Sequence, residues 1–214
     1  MGEAKTMSEE FAGLVKRANA QGFHAAVRRA LEEDRSISLE GETFNELTLT
    51  GFDFSDVDLT HSAFQNCTLS ECRFAQSTLT GAFFEGVTLL HCQFEGGELG
   101  GWALDASTLA RCTFEDLELE DAEWSDCRLT DCEFRGVKAL SWWMERITFE
   151  RGRWENVEVE SGEWVHVTFR EVKLDGLTVG DLAARNSYHV ECTLVGGEWP
   201  EGVHEKSGRR KTLE

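Results

Sequence analysis

The chain has 214 residues, with 40 acidic against 21 basic side chains and a formal net charge of -19. That is long enough for one sizeable domain and too negative for a nucleic-acid binder, because phosphates ask for a Lys/Arg surface. A hydrophobic content of 41%, with 14 Phe and 7 Trp, excludes a disordered acidic chain. The N-terminal stretch has no apolar signal core and no run of about 18 apolar residues occurs, so the expectation is a cytoplasmic protein off the membrane. The seven cysteines are an odd set without a CxxC pair, which suggests neither a disulfide framework nor a zinc site.

Residues 1–36 form the first segment. Within it 7–33 read as helix: Thr6 with Glu9 makes a capping box, and Phe11, Leu14, Val15, Phe23, Val27, Ala30 and Leu31 follow helical spacing. Gly22 is expected to divide the helix in two. Such a hairpin can cap an open solenoid end or serve as a partner-binding arm, and the cap is the expectation, because solenoids need their ends covered.

From residue 39 a period of five takes over. Every fifth residue from Leu39 to Trp199 is apolar, His189 alone excepted, and at 41% hydrophobic overall this is no accident of composition. Two residues before each large one comes a small one, and Cys67, Cys72, Cys92, Cys112, Cys127, Cys132 and Cys192 all stand in that register. Two residues after it come turn formers such as Gly51, Asp56, Asn66, Gly81, Asp116 and Asp121, which tolerate bent and left-handed backbone. A period of five is neither helix nor strand. It describes a coil with flat sides that turns a corner every fifth residue, with two side chains of each five pointing inward.

The segments CTL, CRF, CQF, CTF, CEF and VTF resemble the small-x-large core of the pentapeptide-repeat family, over residues 37–199. The resemblance implies an all-β solenoid, a right-handed quadrilateral parallel β-helix with four pentapeptides per coil. The chain then holds about eight coils, roughly 38 Å of rod at about 4.8 Å per layer, followed by a polar tail over 200–214, with Lys206, Arg209, Arg210 and Lys211, expected to be disordered.

Residues twenty apart share a face, so Cys72, Cys92, Cys112 and Cys132 form a ladder up one interior side. Small buried hydrophobes explain it better than redox or metal chemistry. The six histidines show no ligand spacing, and no nucleophile elbow, P-loop or HExxH occurs. The reading is a binding protein, not an enzyme, with no catalytic, cofactor or metal residues.

Charge is the remaining signal. Residues 43–127 hold 16 acidic side chains against Arg73 and Arg111, whereas 128–199 hold 13 acidic against 9 basic. The densest run is Glu115, Asp116, Glu118, Glu120, Asp121, Glu123 and Asp126. Nearby, Trp102 and Trp142 take the small inward position, Trp142 followed by Trp143. Indoles in slots otherwise filled by Ala, Ser or Cys are expected to force the backbone to bulge, giving an aromatic contact surface beside the acidic run; local repacking is the other reading.

The resemblance also implies a role. Well-understood bacterial members of the family are acidic rods that occupy DNA gyrase or topoisomerase IV in place of duplex and protect these enzymes from inhibitors, and the gyrase-directed ones pair through their C-terminal ends. A DNA mimic of this kind, a homodimer without direct nucleic-acid binding, is the leading expectation; the alternative is a structural or adaptor solenoid for an unrelated basic protein. The two-helix extension and the absence of a long loop insertion depart from the quinolone-resistance members.

Overall fold

The computed structural model describes residues 7–33 and 35–206; Thr6 of the expected capping box and Arg209, Arg210 and Lys211 of the expected tail lie outside them. Two helices open the chain, α1 (Met7–Lys16) and α2 (Ala20–Glu32). The break falls at Arg17–Asn19, three residues before Gly22. There Ala18 turns left-handed at φ 50, and the Asn19 side chain accepts the Gly22 N–H at 3.0 Å. An asparagine cap starts a helix more decisively than a glycine ends one. Gly22 instead gives room inside α2, since a Cβ there would lie 2.9 Å from the Leu14 side chain.

The hairpin covers the first coil. Phe23 is fully buried between Phe11, Phe52 and Phe54, ring centroids 6.0, 5.5 and 5.3 Å away. Beside it the His24 Nε2 accepts the Asp53 N–H at 2.9 Å, which supplies the acceptor that a preceding coil would have provided. Lys16 pairs with Glu42 at 2.6 Å.

Beyond the cap the chain is a parallel β-solenoid of about eight coils. Strands of mostly two to four residues pair with those twenty positions on, as Phe44↔Phe64, Leu49↔Leu69 and Phe74↔Phe94, so the four sides are named here by their first large residue: the Leu39, Phe44, Leu49 and Phe54 faces. Both inward positions of most pentapeptides are buried, for example Ser62 with Phe64 and Cys72 with Phe74, and the last coil, with Cys192, Leu194 and Trp199, is half-buried. On the Phe54 face the rings of Phe54, Phe74, Phe94, Phe114 and Phe134 stack at 5.0, 4.8, 5.2 and 4.5 Å with interplanar angles of 17° or less. Each buried phenyl contributes roughly 1.5–3 kcal/mol.

The corners fall where the turn formers stand. From Gly41 to Gly196 every fifth residue has positive φ, whatever its side chain, except Ser141, Ser161 and Asp181. Those three share one corner, between the Leu39 and Phe44 faces. There the backbone straightens, and the strands Glu158–Val165 and Lys173–Arg185 run through it.

The straightening begins at the layer of Trp142, and the two inward tryptophans overturn an expectation. Trp102 and Trp142 are fully buried, so neither can meet a partner. Their inward column reads Ala82, Trp102, Ala122, Trp142, Gly162, Leu182, alternating small and large, so each indole expands over a small neighbour one layer away. Trp102 needs no bulge, because Gly101 keeps the left-handed corner at φ 66. At Trp142 the large position has shrunk to Ala139, and the next layer offers Gly162 at φ 143, where an added Cβ would run into the Trp142 carbonyl. The indoles meet edge to face, Trp102 against Trp124 at 84° and Trp124 against Trp142 at 85°, a geometry in which an N–H can rest on a π face. That suits the Nε1 atoms of Trp102, Trp124 and Trp142, which find no other acceptor among the described residues.

The far end departs from the five-residue rule at Pro200. Trp199 stacks on His189 at 4.4 Å, the Val203 N–H reaches back to the Pro200 carbonyl at 3.1 Å, and the strand Val203–Glu205 pairs with Ser187 to His189. Residues 200–206 are therefore ordered, against the expectation of disorder from residue 200, and 207–214 lie outside the described residues. The turn cuts a corner, and the step between coils falls from twenty residues to sixteen.

Candidate partner-binding surface

The acidic run does not make a patch. One coil takes twenty residues, so Glu115 lies on the Phe54 face, Asp116 at its corner, Glu118 and Glu120 on the Leu39 face, Asp121 at the next corner, Glu123 on the Phe44 face and Asp126 at the corner beyond. All seven are exposed and form a belt. Among the described residues Asp126 alone of them has an ionic partner: Arg146 grips it through Nε and a terminal nitrogen at 2.6 and 2.7 Å, and that bonding holds the Asp126 carboxyl below the usual range.

What the coil does build is a difference between sides. Arg73, Arg111, Arg128, Arg135, Arg151, Arg153, Arg170 and Lys173 all fall on the Leu49 and Phe54 faces or the corner between them. Many are engaged there, Arg151 with Asp131 and Glu150, Arg73 with Glu95, Arg128 with Glu150. Among the described residues the Leu39 and Phe44 faces keep only Lys138 and Arg185, with Arg146 at the corner beyond the Phe44 face, against a long series of carboxylates that includes Glu98, Glu118, Glu120, Asp121, Glu123, Glu145, Glu158, Glu160 and Glu163. Charge is thus segregated around the rod as well as along it. The axial asymmetry was legible in composition; the angular one needs the register of twenty.

At the middle of the acidic sides two apolar side chains stand out of the surface, Leu140 at 41% and Trp143 at 47% exposure. They flank the straightened corner. Trp143 lies one layer from Glu123 and one from Glu163, and its Nε1–H donates to Ser141 Oγ at 3.1 Å. A groove of about 690 Å³ opens beside it, lined among others by Glu123, Ser125, Glu145, Glu163 and Arg185. Of the three tryptophans singled out in the sequence, Trp143 is the one at the surface.

The interior offers little chemistry. All seven cysteines are free, six buried and Cys192 half-buried. The ladder thiols donate to backbone carbonyls, Cys92 to Leu69 at 3.4 Å for example. Hydrogen bonding to adjacent ladder thiols, with burial, pushes Cys72 and Cys112 up, and burial pushes the Cys127 thiol up to about 12. Among the described residues no His, Cys, Asp and Glu group is placed to hold a metal ion, and no helix is long and apolar enough to cross a membrane.

Sequence models of the pentapeptide repeat match residues 43–74, as eight copies, and residues 68–142, as a repeat region. The chain belongs to the pentapeptide-repeat family. No curated protein matches it by sequence. Among solved pentapeptide-repeat structures, a trypsin-treated variant of QnrB1, a plasmid-mediated fluoroquinolone resistance protein, is similar over 77% of this chain and 92% of its own, at 18% identity and TM-score 0.49. HetL of the cyanobacterium Nostoc sp. strain PCC 7120, involved in heterocyst differentiation regulation, is similar over 81% and 91% at 13% identity and TM-score 0.40. Rfr23 of the cyanobacterium Cyanothece 51142 is similar over 78% and 95% at 13% identity and TM-score 0.24.

Proposed function

We propose that this pentapeptide-repeat protein is a non-enzymatic binding protein of the cytoplasm that lays its acidic Leu39 and Phe44 faces into a basic groove shaped for duplex DNA, that of DNA gyrase or topoisomerase IV, and thereby protects the enzyme from inhibitors. The observation that carries the reading is the angular segregation of charge on a rod: carboxylates repeat at about the 4.8 Å layer spacing along two adjacent sides, while the bases are gathered on the opposite sides. A duplex presents one charge per roughly 1.7 Å of axis, so a groove evolved for phosphates finds a weaker and sparser line of anions, interrupted at Lys138 and Arg185. The open last coil, with Val195 57% exposed and Trp199 half-buried, favours pairing of two chains through that end, which would lengthen the rod. The test is a supercoiling and cleavage assay with purified gyrase, with and without inhibitor. Relief of inhibitor-induced cleavage at substoichiometric to stoichiometric protein is expected; no binding and no relief would refute the reading.

The same one-sidedness favours a second reading, an adaptor for an unrelated basic protein, because a partner that reads one side of a rod need not have been built for DNA. Recovery of a basic partner other than a topoisomerase, with gyrase unaffected, would decide for it.

A further inference from the structure

We propose that the corner carrying Leu140 and Trp143 is the point where the partner inserts an arginine side chain. The proposal rests on the reading of the acidic faces as a protein-binding surface and names what that surface grips. Five of the other tryptophans, Trp102, Trp124, Trp142, Trp154 and Trp164, are 1% exposed or less, so the fold has no difficulty hiding indoles. Trp143 instead stands on the outward side of its strand, and its ring is held: the Nε1–H is committed to Ser141 Oγ at 3.1 Å. A tethered indole that presents its face to solvent is a preformed surface for a cation, and among the described residues no cation of this chain lies over it.

The surroundings choose the cation. Glu123, one layer away in direct register, is exposed and makes no ion pair among the described residues. The other carboxylates at the groove are already engaged, Glu145 by Arg146 and Glu163 by Arg185. One free carboxylate on the strand next to one exposed indole, in direct register at the backbone spacing of about 4.8 Å, fits a flat guanidinium, which can stack on the ring and fork to the carboxylate at once; an ammonium, a point charge, serves one or the other. Leu140, on the far side of the corner and 41% exposed, gives the aliphatic stem an apolar rest. The groove, at about 690 Å³, has room for the residues flanking the arginine. The arrangement is that of a binding hot spot, an aromatic anchor inside a polar rim.

The experiment uses the full chain and two labelled peptides, nona-arginine and nona-lysine, followed by fluorescence polarisation at physiological salt. Wild type should prefer the arginine peptide. Trp143→Ala should cut that arginine-over-lysine ratio by roughly threefold or more, Glu123→Gln should cut it as well, and Trp143→Phe should keep most of it. A ratio unmoved by Trp143→Ala in a folded variant overturns the proposal. A second measurement needs no variant: in the 15N-labelled wild type the Trp143 Nε1–H signal should shift on adding nona-arginine while those of the five buried indoles stay, and an unmoved Trp143 signal overturns the proposal equally. Neither measurement involves a topoisomerase, so peptide discrimination without gyrase protection refutes the gyrase reading alone, and gyrase protection with an indifferent Trp143 refutes this site alone.

Discussion

Phe74 lies between Phe54 and Phe94, centroids 5.0 and 4.8 Å away, and has no path to water. Phe74→Asp would bury an unpaired carboxylate and should cost several kcal/mol, read as a large fall in melting temperature. Glu120→Gln, on the exposed Leu39 face, should leave melting within about 0.5 kcal/mol of wild type. Two variants that melt together would mean that the inward register is wrong. The thiols permit a second test at this scale. Cys67, Cys72, Cys92, Cys112, Cys127 and Cys132 are buried, and Cys192, in the last coil, is half-buried. A bulky alkylating agent should therefore label Cys192 first and the other six only on unfolding, counted by mass spectrometry. Fast labelling of several in the native state would contradict the packing.

At the scale of elements, the N-terminal hairpin and the straightened corner show what the sequence could and could not say. The five-residue alternation of Phe and Leu, with Asp, Asn or Gly two positions on, specified coil, corner and inward face, because each depends only on neighbours within one pentapeptide. The helix break was misplaced because glycine weakens a helix visibly, while the cap at Asn19 acts through a single side-chain hydrogen bond. Trp102 and Trp142 were misread because a slot was judged by its own strand, whereas the room came from Ala82, Ala122 and Gly162, twenty residues away in sequence and one layer away in space. The hairpin's worth can be measured. Phe23→Ala should cost about 3–5 kcal/mol and raise amide exchange first in Phe52 and Phe54, whose rings Phe23 covers; uniform exchange along the whole rod would deny it the role of a cap.

For the whole molecule the decisive quantity is which side the charge is on, and composition does not contain it. Glu115 to Asp126 read as one patch only until the coil winds them into a belt; Glu118, Glu120, Asp121 and Glu123 are the part that faces the acidic sides. Replacing these four by Gln or, at Asp121, by Asn, which tolerates its φ of 52, should weaken partner binding and flatten its salt dependence, since such attraction is screened over about 10 Å at 0.1 M. Melting temperature should hold or rise, because like charges repel on the folded rod. Equal replacement of Glu95, Glu133 and Glu155 on the Phe54 face should leave binding nearly intact; equal losses from both sets would remove the sidedness from the mechanism. A stack of identical layers is also a template on which further copies can continue, the hazard of every exposed strand edge. Here the translational symmetry is broken at one extremity, where helices sit in the place of a preceding layer. At the other the strand Val203–Glu205, reached in sixteen residues instead of twenty, still lies in parallel register on the coil before it. A stack with one blocked end is a polar object: it can pair once, end to end, and a pair of this kind has no bare layer left on which a third copy could continue.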